Sequence, residues 1–177
     1  MKELKTPMLI RNQNVGLPPV DEFILRKNRL AVRGVLMTGE RVVLMHFTKD
    51  GHFKLPGGGV EPKETDDEAI VREAREETGR MTKIIRKIGT IIEERGEEGY
   101  MQVSEGYILE QDGDVVEPVL TENEIAAGAE VFVADSLDQA IHLVEDAGND
   151  SVDGRFRRLR DGSFLRDAKT LLDQEKI

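Results

Sequence analysis

The chain has 177 residues, of which 38% are hydrophobic and 34% are charged, and its formal net charge is −10. This composition is too apolar for a disordered chain, and the lack of cysteine excludes disulfides, thiolate zinc sites and cysteine nucleophiles. So acidic a chain is not expected to bind duplex nucleic acid, although a divalent cation can join it to a small phosphorylated substrate.

The first 28 residues show no sustained apolar period and contain Gly16, Pro18 and Pro19. We interpret residues 1–28 as an N-terminal arm with one short strand near residues 22–25, followed by a single domain over residues 29–177. Such arms can exchange between subunits, which makes a homodimer one option. The N-terminal residues are not followed by the apolar stretch of a signal peptide, and no apolar run approaches the roughly 20 residues of a membrane span, so we expect a cytoplasmic protein without a membrane partner.

Two strands are predicted after the arm, over residues 30–37 and 41–47, because apolar runs rich in Val and Leu flank the turn Thr38-Gly39-Glu40. After a second turn, Lys49-Asp50-Gly51, residues 52–55 lead directly into Pro56-Gly57-Gly58-Gly59.

A helix is predicted between Thr65 and Gly79. Thr65 and Glu68 have the spacing of a capping box, and Gly79 is a suitable residue to end a helix. One side of this helix is suited to packing on a sheet, since it carries Ile70, Val71, Ala74 and Thr78.

The rest of the chain is predicted to contain three strands, over residues 82–94, 100–110 and 129–133. Residues 111–114 end the second of them, and an amphipathic helix follows over residues 137–147. Residues 149–162 are interpreted as an arginine-rich loop, and Ser163 as the cap of a last helix over residues 164–174. This order, without a regular βαβ alternation, indicates a mixed α/β fold with helices on both faces of a sheet.

Three glutamates of the helix after Thr65, namely Glu73, Glu76 and Glu77, stand at i, i+3 and i+4 and therefore project from one face. Their mutual repulsion favours binding of a hard cation such as Mg²⁺, which prefers oxygen ligands. Clustered glutamates also occur on solvated helix faces, so the spacing alone leaves both options open. Arg72 is placed to pair with Glu64, which would hold the preceding loop against the helix.

The segment from Gly58 to Arg80 closely resembles the Nudix box, a pattern of 23 residues. Ala74 and Arg80 depart from the pattern at two aliphatic positions, away from the metal-binding face. The order of strands and helices over residues 28–147 also resembles the family's α/β/α sandwich with a mixed β-sheet. Every polar and glycine position of the pattern is filled, by Gly58, Glu64, Arg72, Glu73, Glu76, Glu77 and Gly79.

The resemblance implies a hydrolase that uses Mg²⁺ or Mn²⁺ to cleave a diphosphate bond in a nucleoside diphosphate linked to another moiety. It implies metal ligation by Glu73, Glu76 and Glu77, with Glu64 supporting or ligating. It also implies catalytic roles for Arg72, Glu76 and Glu77.

Proteins of this family often add a carboxylate from a later loop, as ligand or general base. Glu122 and Glu124, just before the strand over residues 129–133, are the candidates, although both also suit ordinary loop charges.

Substrate contacts are predicted at the glycine-rich turn, on the first strand and in the arginine-rich loop. A basic loop in an acidic chain can clamp phosphate, although a solvated loop is the simpler interpretation. The predicted substrate-binding residues are Gly58, Gly59, Arg33 and Arg158.

The accessory features of known subclasses are missing. Arg95 and Gly96 stand where the ADP-ribose subclass would show a proline, Tyr100 falls too late for the dinucleoside polyphosphate subclass, and no coenzyme A signature precedes the box. A sanitising nucleoside triphosphatase and a nucleotide-sugar hydrolase both remain open. The alternative from another class is a non-catalytic Nudix-fold nucleotide-binding or sensor module, which would usually lose box carboxylates. A prenyl diphosphate isomerase on this fold would require a cysteine.

Overall fold

The fold is described by a computed structural model over residues 6–96, 99–146 and 150–174. Within these ranges seven strands form one sheet, and four α-helices accompany it. The strands are β1 (Met8–Arg11), β2 (Lys27–Thr38), β3 (Arg41–Phe47), β4 (His52–Lys54), β5 (Arg80–Arg95), β6 (Tyr100–Val115) and β7 (Ala129–Ala134). The helices are α1 (Asp66–Thr78), α2 (Glu122–Ala126), α3 (Leu137–Asp146) and α4 (Val152–Gln174).

The strand order in the sheet is β1-β5-β6-β2-β3-β4, and β7 pairs with β3. The β1–β5 and β2–β6 pairs are parallel, whereas the other pairs are antiparallel. The presence of both kinds of pair confirms the predicted mixed sheet. The long parallel pair with β6 places β2, and with it Arg33, in the middle of the sheet.

The predicted strands agree with the structure most closely around the first hairpin. The strand predicted over residues 41–47 is confirmed, and the one before it begins earlier than expected, at Lys27. Residues 111–114 do not end their strand as predicted. They lie inside β6, because β6 continues to pair with β5 until Val115 stands opposite Arg80.

The strand predicted near residues 22–25 is wrong, since these residues form no strand and both Ile24 and Leu25 are more than half exposed. The strand of this region is β1, in which Ile10 is fully buried and which pairs with β5. The strand therefore forms where an apolar side chain, Ile10, is buried against the sheet, and not at the exposed apolar residues 22–25. Residues 1–5 lie outside the described ranges.

Helices cover both faces of the sheet, as predicted. On one face α1 packs Ala69, Ile70 and Ala74 against the strands, with Val71 partly buried beside them. On the opposite face α3 and α4 share a larger core with the sheet. Its helical members include Ala140, Val144, Phe156, Phe164, Leu165 and Ala168.

Helix α4 corrects the prediction of an arginine-rich loop over residues 149–162. The helix begins at Val152, and Ser151 caps it by accepting a hydrogen bond from the backbone N–H of Gly154 at 3.0 Å. Ser163 is not a cap, since it lies inside the helix and its hydroxyl donates to the carbonyl oxygen of Leu159 at 2.6 Å. Residue 149 lies outside the described ranges. Neither α4 nor any other described helix has both the length and the apolar character needed to cross a membrane.

Phe156→Ala tests this correction, because Phe156 is fully buried between α4 and the sheet. We expect the substitution to lower the free energy of unfolding by about 3–5 kcal/mol. Val152→Ala, at the exposed start of the same helix, is the control and should change it by less than about 0.5 kcal/mol. Urea unfolding followed by circular dichroism measures both, and equally small losses would contradict a buried helix over residues 152–162.

Candidate functional site

Helix α1 begins and ends at the predicted residues. The hydroxyl of Thr65 accepts a hydrogen bond from the backbone N–H of Glu68 at 3.2 Å, and the carboxylate of Glu68 accepts one from the Thr65 N–H at 2.7 Å. Gly79 adopts a left-handed φ of 68°, and its N–H donates to the carbonyl oxygen of Arg75 at 2.8 Å. A side chain at Gly79 would collide with the carbonyl oxygen of Val116. Both helix ends are thus held by local hydrogen bonds.

The guanidinium of Arg72 lies at the centre of the carboxylate cluster. Its Nε and Nη2 donate to Glu64 at 3.1 and 2.7 Å, and its Nη1 donates to Glu73 at 2.9 Å and to Glu76 at 3.0 Å. Its Nη2 also donates to the carbonyl oxygen of Gly59 at 3.0 Å. These bonds, the one to Glu64 above all, raise the pKa of Arg72 above its ordinary value. The predicted Arg72–Glu64 pair is confirmed, and it fastens the preceding loop to α1.

The carboxylate of Glu77 points away from Arg72 and is almost fully buried. It accepts hydrogen bonds from Lys54 Nζ at 2.7 Å and from the backbone N–H of Gly57 at 2.8 Å. Burial raises the pKa of Glu77, and the charge of Lys54 opposes that rise. The carboxylates of Glu77 and Glu124 also lie close enough to influence each other's pKa. Glu77 therefore connects α1 to β4 and to α2.

The three helix glutamates do not converge on one point. Glu73 and Glu76 turn to Arg72, whereas Glu77 turns to Lys54. In the part of the chain that the structure describes, no three acidic or histidine side chains are arranged to hold a metal ion. The donor set still consists of carboxylate oxygens, which are the ligands that Mg²⁺ prefers. A cation at this face would have to draw Glu73 and Glu76 away from Arg72.

The segment with Glu122 and Glu124 is the short helix α2 and not the predicted loop. Thr121 caps it through a capping box with Glu124. Burial raises the pKa of Glu124, but hydrogen bonds from Thr121 and contact with Glu77 leave it below its ordinary value. Glu122 is exposed. Of the two candidates, only Glu124 reaches the other carboxylates.

The glycine-rich turn packs between β2 and α1. Gly57 has a φ of 139°, and a side chain there would collide with the carbonyl oxygen of Val32. At Gly58 the carboxylate of Glu73 occupies the space that a Cβ atom would take, and the carbonyl oxygen of Gly58 accepts from Val32 N at 2.9 Å. The contacts of these glycines are with the protein itself, which explains why side chains are excluded there.

A cavity of about 460 Å³, lined mainly by basic side chains, lies beside the turn. Arg33 lies in its wall and is almost fully buried, with Nη1 donating to the carbonyl oxygen of Val32 at 2.6 Å. Burial and the charge of Arg160 lower the pKa of Arg33 to about 10. We call this space the cationic cavity. It is lined by Lys27, Arg29, Arg33, Lys54, Arg95, Tyr100, Gln102, Asp153, Arg157 and Arg160.

A buried ion network joins α4 to the wall of the cationic cavity. Arg160 bonds to Glu93 at 3.0 Å and to Asp161 at 2.7 Å, and Arg95 bonds to Glu93 at 3.1 Å. Asp161 Oδ2 accepts a hydrogen bond from the backbone N–H of Leu55 at 3.1 Å, just before the glycine-rich turn. The sequence places Arg160 in the basic segment that could clamp phosphate, but it does not single out Glu93 or Asp161. The adjacent pair Arg160-Asp161 was the available signal, but it fell in the segment interpreted as a loop.

Arg158, predicted to bind substrate, does not lie with the carboxylates. It bonds to Asp150 at 2.9 Å and lines a separate cavity with Arg155 and Arg166. Arg157 and Arg160 of the same arginine-rich segment face the cationic cavity instead. The spacing along α4 explains the difference, because neighbouring helical residues point in directions about 100° apart.

Comparison with known proteins identifies relatives of this chain. The family model described as NUDIX domain matches residues 27–150. The chain is 34% identical over 123 residues to a protein of Methanocaldococcus jannaschii named ADP-ribose pyrophosphatase, an alignment that covers 64% of this chain and 70% of the relative.

Solved structures with the same fold include a NUDIX hydrolase from Nitrosomonas europaea, with a TM-score of 0.62 and 16% identity, covering 80% of this chain and 88% of that one. The C. elegans Ap4A hydrolase has a TM-score of 0.53 and 21% identity, covering 81% and 98% respectively. At these identities the similarity concerns the fold alone.

Arg72→Ala should lower the free energy of unfolding by about 1–3 kcal/mol, because three carboxylates and the Gly59 carbonyl oxygen lose their shared donor. Arg75→Ala is the matched control, since Arg75 is exposed on the same helix. Thermal melts of the two variants make the comparison. An unchanged melting temperature in Arg72→Ala would show that the cluster does not depend on this guanidinium.

Proposed function

This chain belongs to the NUDIX domain family and is a Nudix hydrolase, and we propose that its substrate is a nucleoside diphosphate linked to another moiety. The observation that carries this proposal is the cationic cavity, which lies beside the box carboxylates in a chain of net charge −10. Lys54 belongs to both features, because it lines the cavity and bonds to Glu77.

The charges divide the site into two parts. The cationic cavity attracts the negative oxygens of a diphosphate, and its arginines present planar forks that suit phosphate. The carboxylates of α1 would repel the same group unless a cation lay between them. Binding and cleavage are therefore expected at the junction of the two parts, close to Lys54 and Glu77.

A divalent cation fits the donor chemistry of α1. Glu73, Glu76 and Glu77 would hold Mg²⁺ or Mn²⁺, with Glu64 in support, since all four offer carboxylate oxygens on or beside one helix. When bound, the cation would supply neutralisation of the diphosphate charge and acidification of a nearby water. Arg72 would act as a positioning residue that keeps Glu64 and the loop at Gly59 in place.

The side chains around this junction have separable roles. Arg33 and Lys54 would hold the diphosphate oxygens, because both line the cationic cavity next to the glycine-rich turn. Glu124 would accept a proton from the attacking water, since it reaches Glu77 without belonging to α1. Gly58 and Gly59 would let substrate approach the backbone of the turn. These assignments are supported by placement in the structure and by the family.

ADP-ribose is the first substrate to assay, because the curated relative is named ADP-ribose pyrophosphatase. The proline expected of that subclass is replaced here by Arg95 and Gly96. In this structure Arg95 lines the cationic cavity and pairs with Glu93 and Asp153. Arg95 thus contributes a positive charge to the cavity. Because this charge suits an anionic ligand, the missing proline does not argue against a substrate related to ADP-ribose.

With Mg²⁺ or Mn²⁺ present, we expect hydrolysis of ADP-ribose or a nucleotide sugar to a nucleoside monophosphate and a sugar phosphate, and loss of this activity on chelation with EDTA. Chromatography of the products measures both. Failure of a panel of nucleoside diphosphate derivatives, alongside hydrolysis of nucleoside triphosphates, would contradict the proposed substrate class.

Glu124→Gln should lower kcat by about 10²–10⁴, the usual effect of losing a general base, while Mn²⁺ affinity measured by calorimetry changes little. Glu122→Gln is the matched control on the same short helix, because Glu122 is exposed whereas Glu124 is partly buried. Its kcat should stay near the wild-type value. If Glu124→Gln also keeps the wild-type kcat, the general base lies elsewhere, and Glu76 or Glu64 becomes the next candidate.

A further inference from the structure

The cationic cavity has more positive charges than its acidic neighbours balance. Seven of its lining residues are Lys or Arg. Glu77 pairs with Lys54, and Glu93, Asp153 and Asp161 pair with Arg95, Arg160 and, at 4.0 Å, Arg33. Among residues 6–96, 99–146 and 150–174, three of these cations form no salt bridge with an acidic side chain, namely Lys27, Arg29 and Arg157.

Several guanidinium groups in this cavity also lack a hydrogen-bond partner. The Nε atoms of Arg33, Arg95 and Arg157 are buried without a partner among the described residues. Arg33 and Arg95 are both less than one-tenth exposed. A buried donor without an acceptor is unfavourable and calls for an explanation. An anionic ligand with several acceptor oxygens would provide one.

Two of these three cations, Lys27 and Arg29, lie on β2, whereas Arg157 lies on α4. The guanidinium of Arg29 lies beside Gly59, within 3.4 Å of where a Cβ atom would stand, and so next to the box. Lys27 stands over the ring of Tyr100, 6.0 Å from its centroid. Arg157 comes from α4, which also contributes Asp153 and Arg160 to the lining of the cavity.

Arg157 lies beyond residues 27–150, to which the family model applies. Burial lowers the pKa of Arg157 and outweighs the charge of Asp161, because the guanidinium is partly withdrawn from water. A desolvated arginine with a free Nε binds an anion more strongly than a hydrated one would. Helix α4 therefore adds to the cavity a cation that the catalytic segment does not need.

We propose that Arg157 binds a further phosphate of the substrate, in addition to the diphosphate that is cleaved. This inference rests on the proposed function, in which Arg33 and Lys54 hold the diphosphate. A phosphate monoester carries about −1.5 to −2 charges at neutral pH, more than a carboxylate, and it matches the surplus of positive charge. The selected substrate is then a nucleoside diphosphate derivative with at least one more phosphate group.

The test compares matched ligands that differ in phosphate content. ADP-ribose and ADP-ribose 2′-phosphate differ by a monoester on the nucleoside, and diadenosine diphosphate and tetraphosphate differ in the length of the phosphate chain. Calorimetry with Ca²⁺ in place of Mg²⁺, a hard cation that also takes carboxylate oxygens, measures binding on wild type, Arg157→Gln and Arg166→Gln. Arg166 is the control, since it lies on the same helix and bonds to Glu145 outside the cationic cavity.

In wild type we expect the phosphate-rich member of at least one pair to bind about tenfold more tightly than its partner, the factor typical of a charge-assisted hydrogen bond. A preference within the first pair would show that Arg157 binds a monoester on the nucleoside, and a preference within the second pair would show that it binds a longer phosphate chain. Arg157→Gln should reduce the preference to about twofold or less and change ADP-ribose affinity by less than about threefold. Arg166→Gln should keep the wild-type preference.

Equal affinities within both pairs in wild type, or no binding of any ligand, would overturn the proposal. Equal weakening of all ligands by Arg157→Gln would also overturn it, and would assign Arg157 to the diphosphate. Thermal melts verify that this variant folds, and Arg157→Lys, which keeps the charge without the fork, should retain part of the preference. A different result would contradict the proposed function itself, namely that wild type with Mg²⁺ or Mn²⁺ hydrolyses none of these compounds.

Discussion

The buried carboxylate of Asp161 is the group on which the arrangement of this site most depends. It bonds to Arg160 at 2.7 Å and to the backbone of Leu55 at 3.1 Å, and it lies 4.0 Å from Arg33. Burial raises the pKa of Asp161, but the charges of Arg160 and Arg33 outweigh it and keep the pKa below its ordinary value. An unpaired buried charge is strongly destabilising. The contacts of Asp161 with Arg160, Leu55 and Arg33 therefore hold α4, the start of the glycine-rich turn and β2 together.

A second contact, between Lys54 and Glu77, joins two regions of opposite charge. On one side lie the carboxylates around Arg72, and on the other lies the cationic cavity. This juxtaposition explains how a chain of net charge −10 can receive an anionic substrate. Cations bind the phosphate groups, while the carboxylates remain available for a metal and for proton transfer.

The sequence predicted the features that local interactions determine. The ends of α1 follow from a capping box and a left-handed glycine, and the Glu64–Arg72 pair follows from spacing near one helix start. It predicted the later part of α4, over residues 164–174, but not the first part, because Gly154 and Gly162 disfavour a helix when only neighbours are considered. Its partners Leu55 and Glu93 are distant in sequence, so its helical state depends on tertiary contacts. Helix α2 could have been predicted, since Thr121 and Glu124 have the spacing of a capping box.

The central claim is that cleavage occurs where the carboxylates of α1 meet the cationic cavity. A crystal structure with Mn²⁺ and the α,β-methylene analogue of ADP-ribose, whose diphosphate bridge cannot be hydrolysed, tests it most directly. The account predicts the bridge between Arg33 and Lys54, with Mn²⁺ on Glu76 and Glu77. A bridge bound elsewhere, such as in the more apolar cavity lined by Val71, Met81 and Val119, would contradict it.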